Sequence, residues 1–207
     1  MCGIAGFSSY EEDYGICRGK WEEILETMNQ VQKRRGPDED GIFLDAHCGM
    51  AHVRLCILDL KRGQQPMSRH SQGRTCTICF NGEIYNMKAL RKELEAEGAI
   101  FQSDSDTEVF LVGYMLHGEN FVKRINGVFG AALWDSDKET LFLFRDRAGV
   151  KPLFYTKYRE TLVYASELKG ILAYPGMEAV ADADTLCEIF CPGAGKNIRK
   201  RSFERHL

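Results

Sequence analysis

The sequence lacks a long apolar run, and it lacks the basic flank that opens a targeting signal. Residues 1–6 (MCGIAG) contain neither the apolar core nor the cleavage site of a secretory signal, and no later segment is apolar enough to span a bilayer. We therefore expect a cytoplasmic protein that does not bind a membrane.

An excess of charge of one sign is also missing. The chain carries 27 Lys and Arg against 30 Asp and Glu, for a formal net charge of −3. No strong attraction to nucleic acid follows from that balance. With 44% hydrophobic and 28% charged residues over 207 positions, the composition is typical of a globular protein with one sizeable domain.

The eight cysteines form neither a disulfide framework nor a complete metal motif. Cys76 and Cys79 have the C-x-x-C spacing, but in a strand an offset of three sends two side chains to opposite faces. No second C-x-x-C or H-x-x-x-H motif completes a zinc site. We predict core packing for this pair and no metal in the domain. Residues 193–196 (GAGK) lack the spacing and the Ser or Thr of a phosphate loop.

Apolar periodicity predicts helices over residues 19–34, 86–98 and 106–118. Seven strands are predicted between and after them, at 41–44, 50–58, 75–80, 128–134, 141–144, 153–156 and 161–164. The last two pairs are joined by short polar turns at 135–139 and 157–160, which are typical of antiparallel hairpins. The expected fold class is α+β, with mostly antiparallel sheets covered by helices.

A cysteine directly after the initiator methionine has a specific chemical consequence. A small second residue permits removal of Met1, which leaves Cys2 with a free α-amino group. With a reference pKa near ~8, that amine can take the thiol proton and later return it to a leaving amine, without a histidine. The alternative is an N-terminal thiol of no consequence.

Seven segments, the N-terminus included, support the catalytic interpretation, because together they resemble the glutaminase domain of class II glutamine amidotransferases. They are residues 1–6 (MCGIAG), 35–38 (RGPD), 54–59 (RLCILD), 80–86 (FNGEIYN), 105–108 (SDTE), 127–131 (GVFGA) and 145–155 (RDRAGVKPLFY). The amino-acid sequences of these segments are similar in detail to those of glutamine-hydrolysing asparagine synthetases. The resemblance implies the N-terminal-nucleophile hydrolase fold, with two mostly antiparallel sheets in αββα layers.

The same resemblance implies a role for three residues in the chemical step. Cys2 would attack the glutamine side-chain amide and form a γ-glutamyl thioester. Asn81 and Gly82 would supply the oxyanion donors, through the Asn side-chain amide and the Gly backbone N–H. The alternative for Asn81–Gly82 is a tight turn.

Three more residues would hold L-glutamine. Arg54 matches the family arginine that binds the α-carboxylate, Asp106 the residue that pairs with the α-ammonium, and Glu83 a neighbour that contacts the substrate. For Arg54 the alternative is a surface ion pair with Asp59 or another carboxylate, and for Asp106 it is a helix N-cap.

The resemblance covers residues 1–190, and we expect residues 191–207 to be a divergent, flexible basic tail. The Ser-Gly-Gly-x-Asp-Ser loop of the synthetase domain is absent, so ATP and Mg²⁺ are expected only for a missing synthetase domain or subunit. We expect a truncated, frameshifted or split protein whose own domain needs no cofactor, with a homodimer as an open possibility. The alternatives are a glutaminase domain of another amidotransferase and a catalytically silent binding or regulatory module.

Overall fold

The computed structural model of the chain describes residues 1–56, 63–71 and 73–180. In these ranges the elements follow in the order β1 Gly3–Ser8, α1 Arg18–Gln32, β2 Glu39–Leu44, β3 Cys48–Arg54, β4 Met67–Ser71, β5 Arg74–Ile84, α2 Met87–Ala96, α3 Asp106–His117, a 3-10 helix at Gly118–Arg124, β6 Gly127–Asp135, β7 Thr140–Arg145, β8 Phe154–Tyr158, β9 Thr161–Ala165 and α4 Leu168–Leu172. Residues Met1–Pro175 form one compact unit. The predicted boundary at residue 190 and the predicted basic tail lie outside the described residues.

The strands form two antiparallel sheets. One has five strands in the order β2-β3-β1-β9-β8, and the other has four in the order β4-β5-β6-β7. Helices α1 and α4 pack on the first sheet, whereas α3 packs on the second and carries α2 on its side. The remaining faces of the two sheets pack against each other through β1, β3 and β5. The predicted αββα order is therefore confirmed.

Apolar cores hold these layers together, and two of them lie on opposite faces of the second sheet. The core between the sheets contains Ile4, Met50, Cys79, Trp134 and Tyr164, all nearly or fully buried. The core between the second sheet and its helices is a larger cluster with Cys76, Phe80, Phe110, Phe121 and Phe129 among its members. Cys76 and Cys79 lie in different cores, which confirms that the C-x-x-C pair points to opposite faces of its strand.

Strand β1 was not predicted, although it lies at the centre of its sheet. Its sequence, GIAGFS, contains two glycines and an alanine, which are poor strand formers. Packing explains the strand, because a Cβ on Gly6 would lie 2.2 Å from the Gly49 carbonyl oxygen and 2.5 Å from the Tyr164 hydroxyl oxygen. The crowded centre of the sheet thus accepts glycine where a larger residue would not fit.

Other boundaries also differ from the prediction. Strand β4, helix α4 and the 3-10 helix were not predicted, since their short sequences have no clear apolar period. The strand predicted at 50–58 is β3, which ends at Arg54; residues 57 and 58 lie outside the described residues. The strand ends there because the Cys56 N–H donates to Asp38 Oδ2 at 2.8 Å rather than to a neighbouring strand.

Asn81 and Gly82 are not a turn. They lie inside β5, where they pair with Gly130 and Phe129 of β6 in an unbroken register. The alternative of a tight turn is therefore wrong, because the strand runs four residues past the predicted end at Phe80 before it stops at Ile84.

Candidate active site

Cys2 lies at the open end of the central strand β1. The strand begins at Gly3, opposite Val53 of β3, so the next position outward places Cys2 beside Arg54. The Cys2 Sγ accepts a hydrogen bond from the Leu55 N–H at 3.4 Å, and the thiol is partly exposed. The nucleophile predicted from the sequence is thus fixed at a sheet end where a substrate can reach it.

The loop between α1 and β2 holds the Cys2 backbone. Arg35 Nε donates to the Cys2 carbonyl oxygen at 2.9 Å, and Arg35 Nη1 lies 3.6 Å from Glu167 Oε1. Gly36 passes so close to β3 that an added Cβ would lie 2.3 Å from the Val53 carbonyl carbon. The close approach at Gly36 thereby brings Arg35 within reach of Cys2.

Strands β3 and β5 lie opposite each other in the two sheets and run in the same direction. Cys79 Sγ donates to the Ala51 carbonyl oxygen at 3.8 Å, and one residue further along both strands His52 Nε2 lies 3.3 Å from the Phe80 carbonyl oxygen. The next two residues are Val53 and Arg54 on β3, and Asn81 and Gly82 on β5. Because Cys2 lies beside Arg54, the predicted nucleophile and the predicted oxyanion donors share one end of the inter-sheet space.

Asn81 has a buried hydrogen-bond donor. Its side chain is 2% exposed, and among the described residues no hydrogen-bond acceptor contacts Nδ2. Buried polar groups are nearly always hydrogen-bonded, so such a donor is typical of a site that is completed by a bound group. The Asn81 side chain shares the inter-sheet face with Cys79, since residues two apart on a strand point the same way.

The free edge of β5 presents three N–H groups in a row. The Phe80 N–H donates to Gln65 Oε1, and the Ile84 N–H donates to Asp106 Oδ2 at 3.2 Å. Backbone groups two residues apart point to the same side of a strand, so the Gly82 N–H faces this edge between those two contacts. The Gly82 N–H, the predicted oxyanion donor, therefore points to the same side of β5 as the Ile84 N–H, which Asp106 binds.

Asp106 is the first residue of α3, but it is not the N-cap. Ser105 caps the helix, because its hydroxyl oxygen accepts from the Glu108 N–H at 3.2 Å. The N-cap alternative for Asp106 is therefore wrong. Burial raises the pKa of the Asp106 carboxyl, and the nearby Glu83 carboxylate adds to that effect while the Ile84 N–H opposes it.

A buried carboxylate secures the loop that leads into α3. Glu108 is fully buried and accepts hydrogen bonds from the Arg69 guanidinium, from the Ser103 N–H and hydroxyl, and from the Gln102 N–H. Burial alone would raise the pKa of Glu108, but these hydrogen bonds outweigh it and lower the pKa. The network fixes residues 102–105 and, through them, the start of the helix that carries Asp106.

Arg54 is buried rather than at the surface. It is 5% exposed, and its Nη1 lies 2.6 Å from Glu39 Oε2 on the neighbouring strand. The predicted alternative of an ion pair with another carboxylate is therefore present as Arg54–Glu39, but the Arg54 side chain is buried and not at the surface. Asp59 is outside the described residues. Glu83, in contrast, is exposed, although it lies within β5 next to its last residue.

His52 is a buried histidine that contacts β5 beside this site, and it is not suited to act as a base. Burial lowers the pKa of His52 to about 4, so the ring is neutral near pH 7. With Nε2 directed at the Phe80 carbonyl oxygen, the tautomer that carries its proton on Nε2 is favoured. This leaves the α-amino group of a processed Cys2 as the base that the sequence predicts.

The structure brings all six predicted site residues to one end of the two sheets: Cys2, Arg54, Asn81, Gly82, Glu83 and Asp106. The supporting residues Arg35, His52 and Gln65 were not given a role, although residues 35–38 stood out as a motif. A separate cleft of about 410 Å³ is lined by Gln64, Pro66, Met67, Ser68, Arg69, Gln102 and Ser103, none of which is a predicted site residue. In the part of the chain that the structure describes, no helix is long and apolar enough to cross a membrane.

Comparison with known proteins agrees with this arrangement. A family model described as "Glutamine amidotransferase domain" matches residues 1–205. The chain is 40% identical over 196 residues to the glutamine-hydrolysing asparagine synthetase 3 of Bacillus subtilis. The matched segment covers 95% of this chain and 31% of that protein. The chain is 43% identical over 172 residues to asparagine synthetase 1 of the same organism, with coverages of 83% and 27%. The chain thus spans less than a third of either relative.

A solved structure shows the same fold. The glutamine phosphoribosylpyrophosphate amidotransferase of Bacillus subtilis, in complex with ADP and GMP, superposes with a TM-score of 0.68 at 22% identity, covering 82% of this chain and 43% of that chain. The N-terminal-nucleophile fold is thereby confirmed. The chain belongs to the glutamine amidotransferase domain family, and it is a glutaminase-type domain similar to those of the glutamine-hydrolysing asparagine synthetases.

Proposed function

We propose that this chain hydrolyses L-glutamine to glutamate and ammonia, with Cys2 as the nucleophile. The observation that carries the proposal is the placement of the Cys2 thiol at the same sheet end as the buried Asn81 Nδ2, which has no acceptor among the described residues. A thiol next to a preorganised donor pair is the arrangement that acyl transfer requires.

The chemical step follows from these groups. After removal of Met1, the α-amino group of Cys2 takes the thiol proton, and Sγ bonds to the amide carbon of glutamine. Negative charge develops on the amide oxygen, where the Asn81 Nδ2 and the Gly82 N–H donate. The amine returns the proton to the leaving nitrogen, ammonia departs, and water then hydrolyses the thioester to glutamate. Met1 is 55% exposed, which makes it accessible to the processing that this step needs.

Recognition of glutamine is assigned to the charges around this centre. The buried Arg54 guanidinium would bind the α-carboxylate, since its planar donors can serve Glu39 and a second carboxylate together. Asp106 would pair with the α-ammonium, with Glu83 as a neighbouring contact. Holding both ends of the amino acid distinguishes glutamine from a simple amide, because an analogue that lacks one end leaves a buried charge unpaired.

The ammonia acceptor belongs to the longer proteins of this family. We assign it to a synthetase domain or subunit that uses ATP and Mg²⁺ to convert aspartate to asparagine. The support for this acceptor is that the relatives are named glutamine-hydrolysing asparagine synthetases. A domain of this kind that serves another amidotransferase would have the same glutaminase step with a different acceptor. No cofactor is needed for the step at Cys2.

Intact-mass analysis after treatment with a glutamine-mimicking diazoketone tests the proposal. We expect loss of Met1, a single adduct that maps to Cys2, and protection by glutamine. Cys2→Ala should lose both the adduct and glutamate production while keeping its melting temperature. Cys17→Ser is the control, since Cys17 is an exposed thiol that is not among the predicted site residues. Retained Met1 with an unlabelled Cys2 would overturn the proposal.

A further inference from the structure

Gln65 contacts groups on two sides of the proposed glutamine pocket. Its Nε2 donates to the Phe80 carbonyl oxygen at 3.1 Å and to Thr107 Oγ1 at 3.3 Å. Its Oε1 accepts from the Phe80 N–H. Phe80 directly precedes Asn81, and Thr107 directly follows Asp106. One side-chain amide therefore joins the strand that carries the oxyanion donors to the helix that carries the predicted ammonium-binding carboxylate.

The contact to β5 takes the place of a strand partner. Strand β4 pairs with β5 from Met67, which lies opposite Ile78, and continuing that register by two residues places Gln65 opposite Phe80. There the amide supplies the donor and the acceptor that a strand backbone would supply. Because backbone pairing of β4 does not continue, the Gly82 N–H on the same edge is not covered by another residue of β4.

A second donor reinforces this hold on β5. His52 Nε2 approaches the same Phe80 carbonyl oxygen at 3.3 Å from the opposite sheet. The Phe80 carbonyl belongs to the peptide that links Phe80 to Asn81, so its orientation sets the direction from which the Asn81 side chain leaves the strand. Of the two side chains, Gln65 is the one that also reaches α3.

We propose that Gln65 is a positioning residue for glutamine hydrolysis, which sets the spacing between the Asn81–Gly82 donors and Asp106 without contacting the reacting atoms. The inference rests on the function proposed above. Displacement of a catalytic group by about 1 Å can reduce a rate by ~10². Loss of the Gln65 amide should therefore lower kcat/KM for glutamine by about that factor, with both a lower kcat and a higher KM.

Three variants separate the contact of Gln65 with β5 from its contact with α3. Gln65→Met keeps the length of the side chain but removes both hydrogen-bonding groups. Thr107→Val is nearly isosteric and removes only the partner on α3. Gln64→Met makes the same chemical change at the neighbouring, exposed position, and serves as the matched control.

The measurements are kcat and KM for glutamine hydrolysis, the rate of Cys2 alkylation by iodoacetamide, and the melting temperature of the full chain. We expect the ~10²-fold loss for Gln65→Met with unchanged alkylation, a raised KM with nearly unchanged kcat for Thr107→Val, and wild-type values for Gln64→Met. Iodoacetamide reports on the thiol without the glutamine pocket, so a purely structural loss would change both reactions.

Two results would overturn the inference alone. One is wild-type kcat/KM in Gln65→Met, and the other is a loss that alkylation and melting temperature follow in parallel. A wild-type chain that neither hydrolyses glutamine nor reacts with the diazoketone would instead overturn the proposed function, and the inference with it.

Discussion

Asp106 accepts a hydrogen bond from the backbone N–H of Ile84 at 3.2 Å, which ties the first residue of α3 to the last residue of β5. The contact places the predicted ammonium-binding carboxylate two residues beyond the predicted oxyanion donor Gly82 on the same strand. The two ends of the proposed glutamine pocket thus depend on one strand edge, and each can be tested separately.

Glutamine binding should weaken in acid because Asp106 must be ionised to attract the substrate ammonium. Burial, and to a lesser extent Glu83, raises the pKa of Asp106, so KM should rise as pH falls through that raised pKa. Asp106→Asn should raise KM by about 10- to 150-fold, the loss of a charged hydrogen bond of about 1.5–3 kcal/mol. The KM of Asp106→Asn should not rise as pH falls through the pKa of the wild-type Asp106.

Glu83→Gln checks the cause of that pH dependence. Removal of the neighbouring negative charge should lower the pKa of Asp106, so the rise in KM should begin at a lower pH than in the wild type. Steady-state KM values measured from about pH 4 to about pH 8, which spans the carboxyl and amine pKa values, provide the measurement. An identical KM profile in Glu83→Gln would show that Glu83 does not influence Asp106.

Asn81→Ala should impair catalysis without impairing the fold. Loss of one oxyanion donor costs ~10² to 10³ in kcat, whereas KM should change little because the donor acts in the transition state. Since Asn81 Nδ2 has no acceptor among the described residues, its removal should change the free energy of unfolding by less than ~1 kcal/mol. Steady-state kinetics and urea unfolding on one preparation measure both. A raised KM with unchanged kcat would contradict the oxyanion role.

Glu108→Gln should destabilise the protein at neutral pH. The substitution leaves the Arg69 charge without its buried partner, at a cost of about 3 kcal/mol. Because hydrogen bonds lower the pKa of Glu108 in the folded state, its contribution is present above the unfolded value of ~4.3 and is lost as pH falls through the lower folded pKa.

Urea unfolding of wild type and Glu108→Gln at decreasing pH measures this contribution. The difference in the free energy of unfolding should shrink as the medium becomes more acidic than the usual glutamate pKa. Glu95→Gln is the control, because Glu95 forms an exposed pair with Arg91 and its loss should cost at most about 0.5 kcal/mol. A difference that does not change with pH would argue against an ionised Glu108.

Gly36→Ala should reduce glutamine hydrolysis and stability together. The new Cβ would lie 2.3 Å from the Val53 carbonyl carbon and 2.4 Å from the Arg54 nitrogen, so the backbone that brings Arg35 to Cys2 must shift. Gly19→Ala is the matched control, since no atom lies within 4 Å of its added Cβ. In α1 that change should be neutral or stabilise by up to ~1 kcal/mol. Equal melting temperatures for the two variants would contradict the close approach.

Strong local patterns in the sequence predicted most of the fold. Helix α1 and the hairpin of β6 and β7 were found from apolar period and turn residues, and they lie within two residues of the predicted bounds. Strand β1 was missed because its glycines oppose strand formation locally. Its place at the sheet centre depends on Gly49 and Tyr164, which are distant in sequence.

The sequence by itself was enough to predict which residues carry the chemistry, because a cysteine after Met1 and the family motifs can be read without coordinates. Only the tertiary structure decided how they meet. Gln65, Phe80 and Thr107 have no common motif, and their contacts arise where β4 stops short of the end of β5 and α3 begins beside it. Such contacts depend on the packing of separate segments, so local sequence patterns do not encode them individually.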